Sequence, residues 1–289
     1  MGKVAAVIGA NGQLGSDLVE IWSRAGYEVV PLTHEHVEVE NPDSVDRALG
    51  SVHPAVVLNT AAFHNVIRCE EEPEKALSIN ALGALNVSRI SEDLGATHVY
   101  FSTDYVFDGS KREPYVESDL PNPLNVYATS KLAGENLSLG YCSRCLVIRI
   151  SGIYGKVPCR AKGGNFVTTM IRLASQKPEV RVVDDEILSP TPTEEIARHA
   201  VELVESGAQG LFHMTSEGSC SWFEFASAIF ETLEFKATLV RASAKDFPSS
   251  AKRPSYSVLE NEKMKRIGLP TLPHWKDSLA SFLKRQYRS

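Results

Sequence analysis

Through the first 150 residues, short apolar runs alternate with amphipathic stretches. Residues 3–8 (KVAAVI) read as a buried strand, and glycines follow at Gly9, Gly12 and Gly15. From 12 to 25 the apolar positions return at helical spacing, with Leu14, Leu18, Ile21 and Trp22 on one side. Residues 27–32 (YEVVPL) form a second strand, so the chain opens with a β-α-β unit and a parallel sheet is expected. A short third strand is expected at 37–39. Asn41-Pro42-Asp43 then opens a helix, with proline tolerated in its first turn. Residues 55–59 (AVVLN) read as a fourth strand, 73–94 as one long helix and 97–102 as a fifth strand. A helix at 125–139 and a strand at 145–150 (CLVIRI) complete the series. Strands and helices alternating in this way predict an α/β fold with a Rossmann-type doubly wound parallel sheet over residues 1–151.

Beyond Gly152 the pattern is irregular. Residues 155–164 are loop-like, 165–175 and 193–205 helical, and 180–184 and 210–214 strand-like. The 221–233 stretch is amphipathic through Trp222, Phe225, Ala226 and Ile229, and a last helix is expected near 275–285. Residues 152–289 therefore read as a smaller, discontinuous C-terminal substrate lobe over the carboxyl edge of the sheet, with about 190–214 returning to the main sheet. No internal repeat is evident.

The chain has 289 residues, of which 43% are apolar, enough for one large domain or a domain with a lobe. Its net charge of −6 argues against nucleic acid as a partner. No apolar run is long enough to span a bilayer, and the N-terminus enters a strand without a signal-peptide layout. Five cysteines, an odd number, fit free thiols in a reducing compartment, so a cytoplasmic protein with no membrane partner is expected. Cys142-Ser143-Arg144-Cys145 has no second pair or nearby histidines, and no metal is expected there. A Gly-x-Ser-x-Gly elbow, a Gly-Lys-Ser/Thr phosphate loop and His-Glu-x-x-His are all absent.

The candidate chemistry lies in three places. First, Gly9-Ala10-Asn11-Gly12-Gln13-Leu14-Gly15 follows a strand and opens a helix. Glycines there allow a tight turn and a close approach of backbone N–H groups to a pyrophosphate, with the helix N-terminus facing the anion. The second strand ends in Leu32-Thr33-His34, without the acid that would hold a ribose 2′-hydroxyl. Thr33 and His34, with Arg24 near, favour NADP(H), while Glu35 and Glu38 keep NAD(H) open. Second, Ala61 and Ala62 end the fourth strand with small side chains that let a cofactor ribose lie close. Asn80, a poor helix former, is either a water-holding residue in a proton relay or an exposed polar side chain. Third, Val99 to Thr103 ends in two hydroxyls, and Tyr127 and Lys131 stand four apart on one helix face. Ser102 or Thr103 would hold a carbonyl oxygen, Tyr127 would exchange its proton, and a cationic Lys131 would lower the tyrosine pKa. This is equipment for interconverting a carbonyl and an alcohol, and it needs a hydride source.

These residues resemble the extended short-chain dehydrogenase/reductase superfamily, and within it the dTDP-4-dehydrorhamnose reductase branch. The likeness runs through Ser102-Thr103-Asp104-Tyr105-Val106-Phe107-Asp108-Gly109, Tyr127 to Glu135, Arg149, Ser189-Pro190-Thr191 and Arg253-Pro254-Ser255-Tyr256-Ser257. It implies an NAD(P)H-dependent reductase of a nucleotide-diphosphate 4-keto-6-deoxysugar, with catalytic Thr103, Tyr127 and Lys131. The last two, with Gly9 to Gly15, would also hold the cofactor. Asp104, Tyr105, Gly152, Asn165, Asp185 and Arg253 would meet the sugar nucleotide, and a homodimer is the assembly to which the likeness points. A nucleotide-sugar epimerase/reductase with a different sugar, or a non-catalytic NADP-binding regulatory subunit, are the alternatives. This chain departs from the family pattern at Gly152 for Trp, Asp185 for Gln, Leu188 for Gly and Val66-Ile67 for Val-Asp. Gly152 is expected to leave space, and Asp185 either to point away, to pair with Arg160, Lys162 or Arg253, or to meet a substrate that differs from the usual sugar.

Overall fold

The computed structural model describes residues 3–158, 163–247 and 249–287. Arg160 and Lys162, two cations expected near Asp185, lie outside the described residues. The strands of the first half are β1 (Val4–Ile8), β2 (Glu28–Leu32), β3 (Val56–Asn59), β4 (Thr97–Thr103) and β5 (Cys145–Ile150). In the second half follow β6 (Glu179–Val183), β7 (Ile187–Leu188) and β8 (Gly210–His213). One six-stranded sheet runs in the order β2-β1-β3-β4-β5-β8, parallel at every pairing. The order reverses direction between β1 and β3, and a crevice opens there at the carboxyl ends of the strands.

The helices are α1 (Gln13–Arg24), α2 (Pro42–Gly50), α3 (Val66–Glu71), α4 (Pro73–Leu77), α5 (Gly83–Asp93) and α6 (Val126–Tyr141) in the first half. Those of the second are α7 (Phe166–Gln176), α8 (Thr193–Glu205), α9 (Trp222–Leu233), α10 (Glu262–Arg266) and α11 (Trp275–Tyr287). The apolar stripe of α1 packs on one sheet face, where Leu14, Leu18 and Trp22 meet Ile196, Ala197, Ala200 and Leu203 of α8. On the opposite face Val45, Leu49 and Val87 cover Ala6, Ile8 and Val57. A separate core holds the second half together, with Tyr154, Met170, Val182, Phe225, Ile229, Trp275 and Phe282 in contact.

Two expectations are corrected. Residues 37–39 form no strand: Val37 and Val39 are buried, but the backbone turns, with Asn41 N–H donating to the Glu38 carbonyl at 3.0 Å. Their apolar character serves the core and not a sheet edge. The helix expected over 73–94 carries a π-helical turn at Ser78–Leu82 between α4 and α5. The extra residue re-aims Asn80 inward, where it is fully buried.

Candidate active site

The pleat of β4 separates its two terminal hydroxyls. Ser102 Oγ donates to Glu135 Oε1 at 2.5 Å, and Glu135 forms a buried bidentate pair with Arg149 (2.7 and 2.9 Å). Ser102 is thereby held in a closed polar cluster. Thr103, the next residue, donates to Asp104 Oδ1 at 3.1 Å and stands beside Tyr127. Of the two candidate hydroxyls, Thr103 is the one beside the tyrosine.

Helix α6 delivers Tyr127 in its first turn. Asn125 caps the helix by accepting from Ala128 N–H at 2.8 Å, and its amide donates to the Lys252 carbonyl at 2.8 Å. Glu70 of α3, a helix the sequence pattern did not predict, accepts from Val126 N–H at 2.8 Å. The start of α6 is thus fixed from two sides. Burial raises the Tyr127 pKa, opposed by the neighbouring Thr103 hydroxyl, so the phenol carries its proton at neutral pH. Burial also brings Lys131 down to about 7, with Glu135 opposing. Its Nζ donates to the Phe101 carbonyl at 2.7 Å and sits 3.9 Å from the Tyr100 ring centroid. The expected depression of the tyrosine pKa by Lys131 is therefore not seen: desolvation dominates both groups, and the ammonium is held by a carbonyl and a ring face.

The glycine-rich turn has the shape of an anion cradle. Gly9 has φ +80°, and a Cβ there would lie 2.5 Å from Thr60 Oγ1. A Cβ at Gly15 would lie 2.1 Å from the Gly9 carbonyl oxygen. Gly12 N-caps α1 without a side-chain hydrogen bond, and no acidic residue stands in the first turn. The first N–H groups of a long helix are thus open toward the crevice, and these residues fit a dinucleotide pyrophosphate. Asn11 is half-buried at this turn, and Ala61 and Ala62 are half-buried across the crevice. Leu14 points into the core and offers backbone only. At the end of β2, Thr33 Oγ1 meets His36 Nδ1 at 2.9 Å, while His34 is exposed. His36, which no motif singled out, shares that loop.

Several other residues are placed differently from expectation. Asn80 is neither exposed nor free for a relay: it accepts from Phe63 N–H (2.8 Å) and donates to the Phe63 carbonyl and Ser130 Oγ, both at 2.9 Å. It clamps the loop after β3 to α6. Asp104 is buried and accepts from Ser257 Oγ (2.5 Å), Ser151 Oγ (2.8 Å) and Thr103 Oγ1 (3.1 Å). Burial pushes its pKa up to about 6 against those hydrogen bonds. Asn165 caps α7 and donates to Gln13 Oε1 (2.9 Å) and the Gly155 carbonyl (3.0 Å), so it ties the cradle to the second half. Gln13 in turn donates to the Ile153 carbonyl at 3.1 Å.

Gly152 leaves no space. It has φ +52°, and a Cβ there would lie 2.6 Å from Leu188 Cδ1 and 3.2 Å from Pro190 Cα. The Asp185 carboxylate accepts from Ser243 Oγ (2.6 Å) and Ala244 N–H (2.8 Å) and caps that turn. The next residue, Glu186, lines a narrow cleft with Tyr105, Leu188, Trp222, Pro254 and Ser257. Tyr105 meets Tyr127 edge-on, ring centroids 6.2 Å apart, and Arg253 acts electrostatically on both Tyr105 and Glu186. Thr103, Tyr105 and Tyr127 are thus brought together with Arg253 nearby, whereas Asp104, Asn165 and Asp185 support the walls.

Comparison with known proteins agrees with this geometry. The family described as the RmlD substrate binding domain matches residues 4–288. The chain is 38% identical over 280 residues to the spore coat polysaccharide biosynthesis protein SpsK of Bacillus subtilis, covering 97% of this chain and 96% of that one. It is 32% identical over 296 residues to dTDP-4-dehydrorhamnose reductase of Escherichia coli, covering 97% of each. The crystal structure of dTDP-4-dehydrorhamnose reductase from Bacillus anthracis in complex with NADP superposes with a TM-score of 0.95 at 35% identity, covering 99% of this chain and all of that one.

Proposed function

The chain belongs to the RmlD substrate binding domain family, and from that premise we propose that it reduces the 4-keto group of a nucleotide-diphosphate 6-deoxysugar with NADPH. It is a sugar-nucleotide reductase of the extended short-chain dehydrogenase/reductase superfamily. The observation that carries the reading is the placement of the Tyr127 ring against Tyr105, whose N–H donates to Thr103 Oγ1 at the carboxyl end of β4. A donor that keeps its proton at neutral pH suits reduction, where the carbonyl oxygen must gain one.

Residues 1–151 would bind the cofactor and 152–289 the sugar nucleotide. The backbone of Gly9 to Gly15 would hold the pyrophosphate, and the Thr33–His36 loop the adenosine ribose with its 2′-phosphate. NADPH, when bound, supplies the hydride. Thr103 Oγ1 would turn its proton from Asp104 to the keto oxygen and orient it, and Tyr127 transfers its phenolic proton to that oxygen. Lys131, one helical turn on, offsets the charge left on Tyr127 when it is protonated. Arg253, with its fork of donors, would take the diphosphate. NADPH oxidation on adding a dTDP-linked 4-keto-6-deoxyhexose, with the product identified by NMR, tests the assignment. No consumption at any substrate concentration would refute it.

A further inference from the structure

We propose that Glu186 accepts a hydrogen bond from a hydroxyl of the bound sugar and thereby selects which keto sugar this chain reduces. The inference rests on the reductase reading and adds a specificity residue to it. Glu186 is 8% exposed and lines a narrow cleft together with Tyr105, Trp222 and Ser257. Tyr105, which shares this lining, meets the Tyr127 ring edge-on at 6.2 Å, so the carboxyl group lies one side chain from the proton donor.

Its backbone is fixed. Ile187 N–H donates to the Ser255 carbonyl at 3.0 Å, and Ser257 N–H to the Ile187 carbonyl at 2.8 Å. Leu188 and Ile187 pair with Cys220 and Ser221 on the other side. A side chain on so rigid a mount holds a defined position, which hydrogen-bond selection requires.

The carboxyl group has unused capacity. Trp222 lines the cleft beside it, and Arg253 draws on it electrostatically. Among the described residues, no cation lies within ion-pair distance of it. A carboxylate offers about four lone-pair sites, so acceptor capacity remains toward the cleft. A buried acid without a contacting cation is costly for folding alone, and burial raises its pKa accordingly. Leu188 and Pro254 beside it offer only apolar surface. Tyr105 and Ser257 both carry hydroxyls, but Ser257 donates to Asp104. Glu186 is therefore the acceptor best placed to count sugar hydroxyls.

The test compares a dTDP-linked 4-keto-6-deoxyhexose with its 2-deoxy and 3-deoxy counterparts, using the full chain loaded with NADPH. The wild type should favour the fully hydroxylated sugar over one deoxy counterpart by at least about tenfold in kcat/KM, since a site built to bind a hydroxyl rejects its absence. Glu186→Ala should bring that ratio to within about threefold of unity through KM, with NADPH affinity unchanged. Glu186→Gln, which keeps the shape and one acceptor, should fall between and covers the case in which the alanine variant does not fold. A wild-type ratio that persists in the variants overturns the proposal, as does a wild type that does not distinguish the sugars. Calorimetric binding of the same sugars to NADP-loaded protein separates the two readings. Selective binding without turnover, lost in the variants, supports Glu186 while refuting the reductase assignment; no binding overturns both.

Discussion

At the scale of single residues, the site is governed by desolvation. Tyr127 and Lys131 are both shifted toward their neutral forms by burial, and the neighbouring Thr103 hydroxyl only moderates the tyrosine. Tyr127→Phe should bind NADPH nearly as the wild type does and lose roughly 10²–10⁴-fold in turnover, the usual worth of general acid catalysis. Single-turnover kinetics with a cofactor fluorescence titration would check both halves. The adjacent acids Asp185 and Glu186 are told apart by what their oxygens already bind. Both Asp185 oxygens are engaged in capping the 243–244 turn, so Asp185→Asn should change KM for the sugar nucleotide by less than about threefold; a larger effect would put Asp185 in the substrate site.

At the scale of elements, the working parts are joined by contacts far apart in sequence. Asn165 caps α7 and also holds Gln13 in the cradle, so one side chain serves two elements. Asn165→Ala should lower stability by about 1–2 kcal/mol, as loss of a helix cap does, and weaken NADPH binding roughly fivefold through the freed Gln13. Urea denaturation and cofactor titration measure the two effects separately. The turn at Gly152 and strand β7 are coupled in the same way, because Leu188 occupies the place a side chain at 152 would take. Gly152→Ala should cost about 1–2 kcal/mol for its left-handed backbone, plus a contact penalty that Leu188→Ala relieves. A double-mutant cycle returning strict additivity would show that the two positions are independent.

At the scale of the whole molecule, acid stability follows from what the core has enclosed. His98 and His213 are buried and held down to about 3, the first by burial alone and the second by burial and Arg149. Each binds a proton in the unfolded chain below about 6.5 but not in the folded one, so unfolding is favoured as pH falls from 6.5 toward 3. Asp104 acts in the opposite sense: its raised folded value of about 6 makes the folded state the better proton binder between about 4 and 6. Two histidines with larger shifts outweigh one aspartate, and the chain should lose on the order of a few kcal/mol between pH 7 and pH 4.5. Urea midpoints across that range would show it, and His98→Leu should flatten the slope. A midpoint constant across the range would contradict these protonation states.

Local pattern in the sequence was enough for the alternating elements of the sheet, the glycine cradle and the Tyr127–Lys131 pair, because periodicity, turn chemistry and helical spacing act over a few residues. Ser102 and Thr103 were adjacent and chemically alike; the pleat of β4 and the position of Glu135 on α6 separated them. Residues 37–39 looked like a strand because burial selects the same side chains in a turn as in a sheet. Gly152 suggested open space until β7 brought Leu188 against it, and Asp185 suggested a substrate contact until the turn at 243–244 claimed its oxygens. For Ser102, Gly152 and Asp185 the deciding partner lies tens of residues away along the chain. A side chain's type and spacing determine what chemistry it can perform, but its remaining hydrogen-bond capacity and exposure depend on which distant segments pack against it.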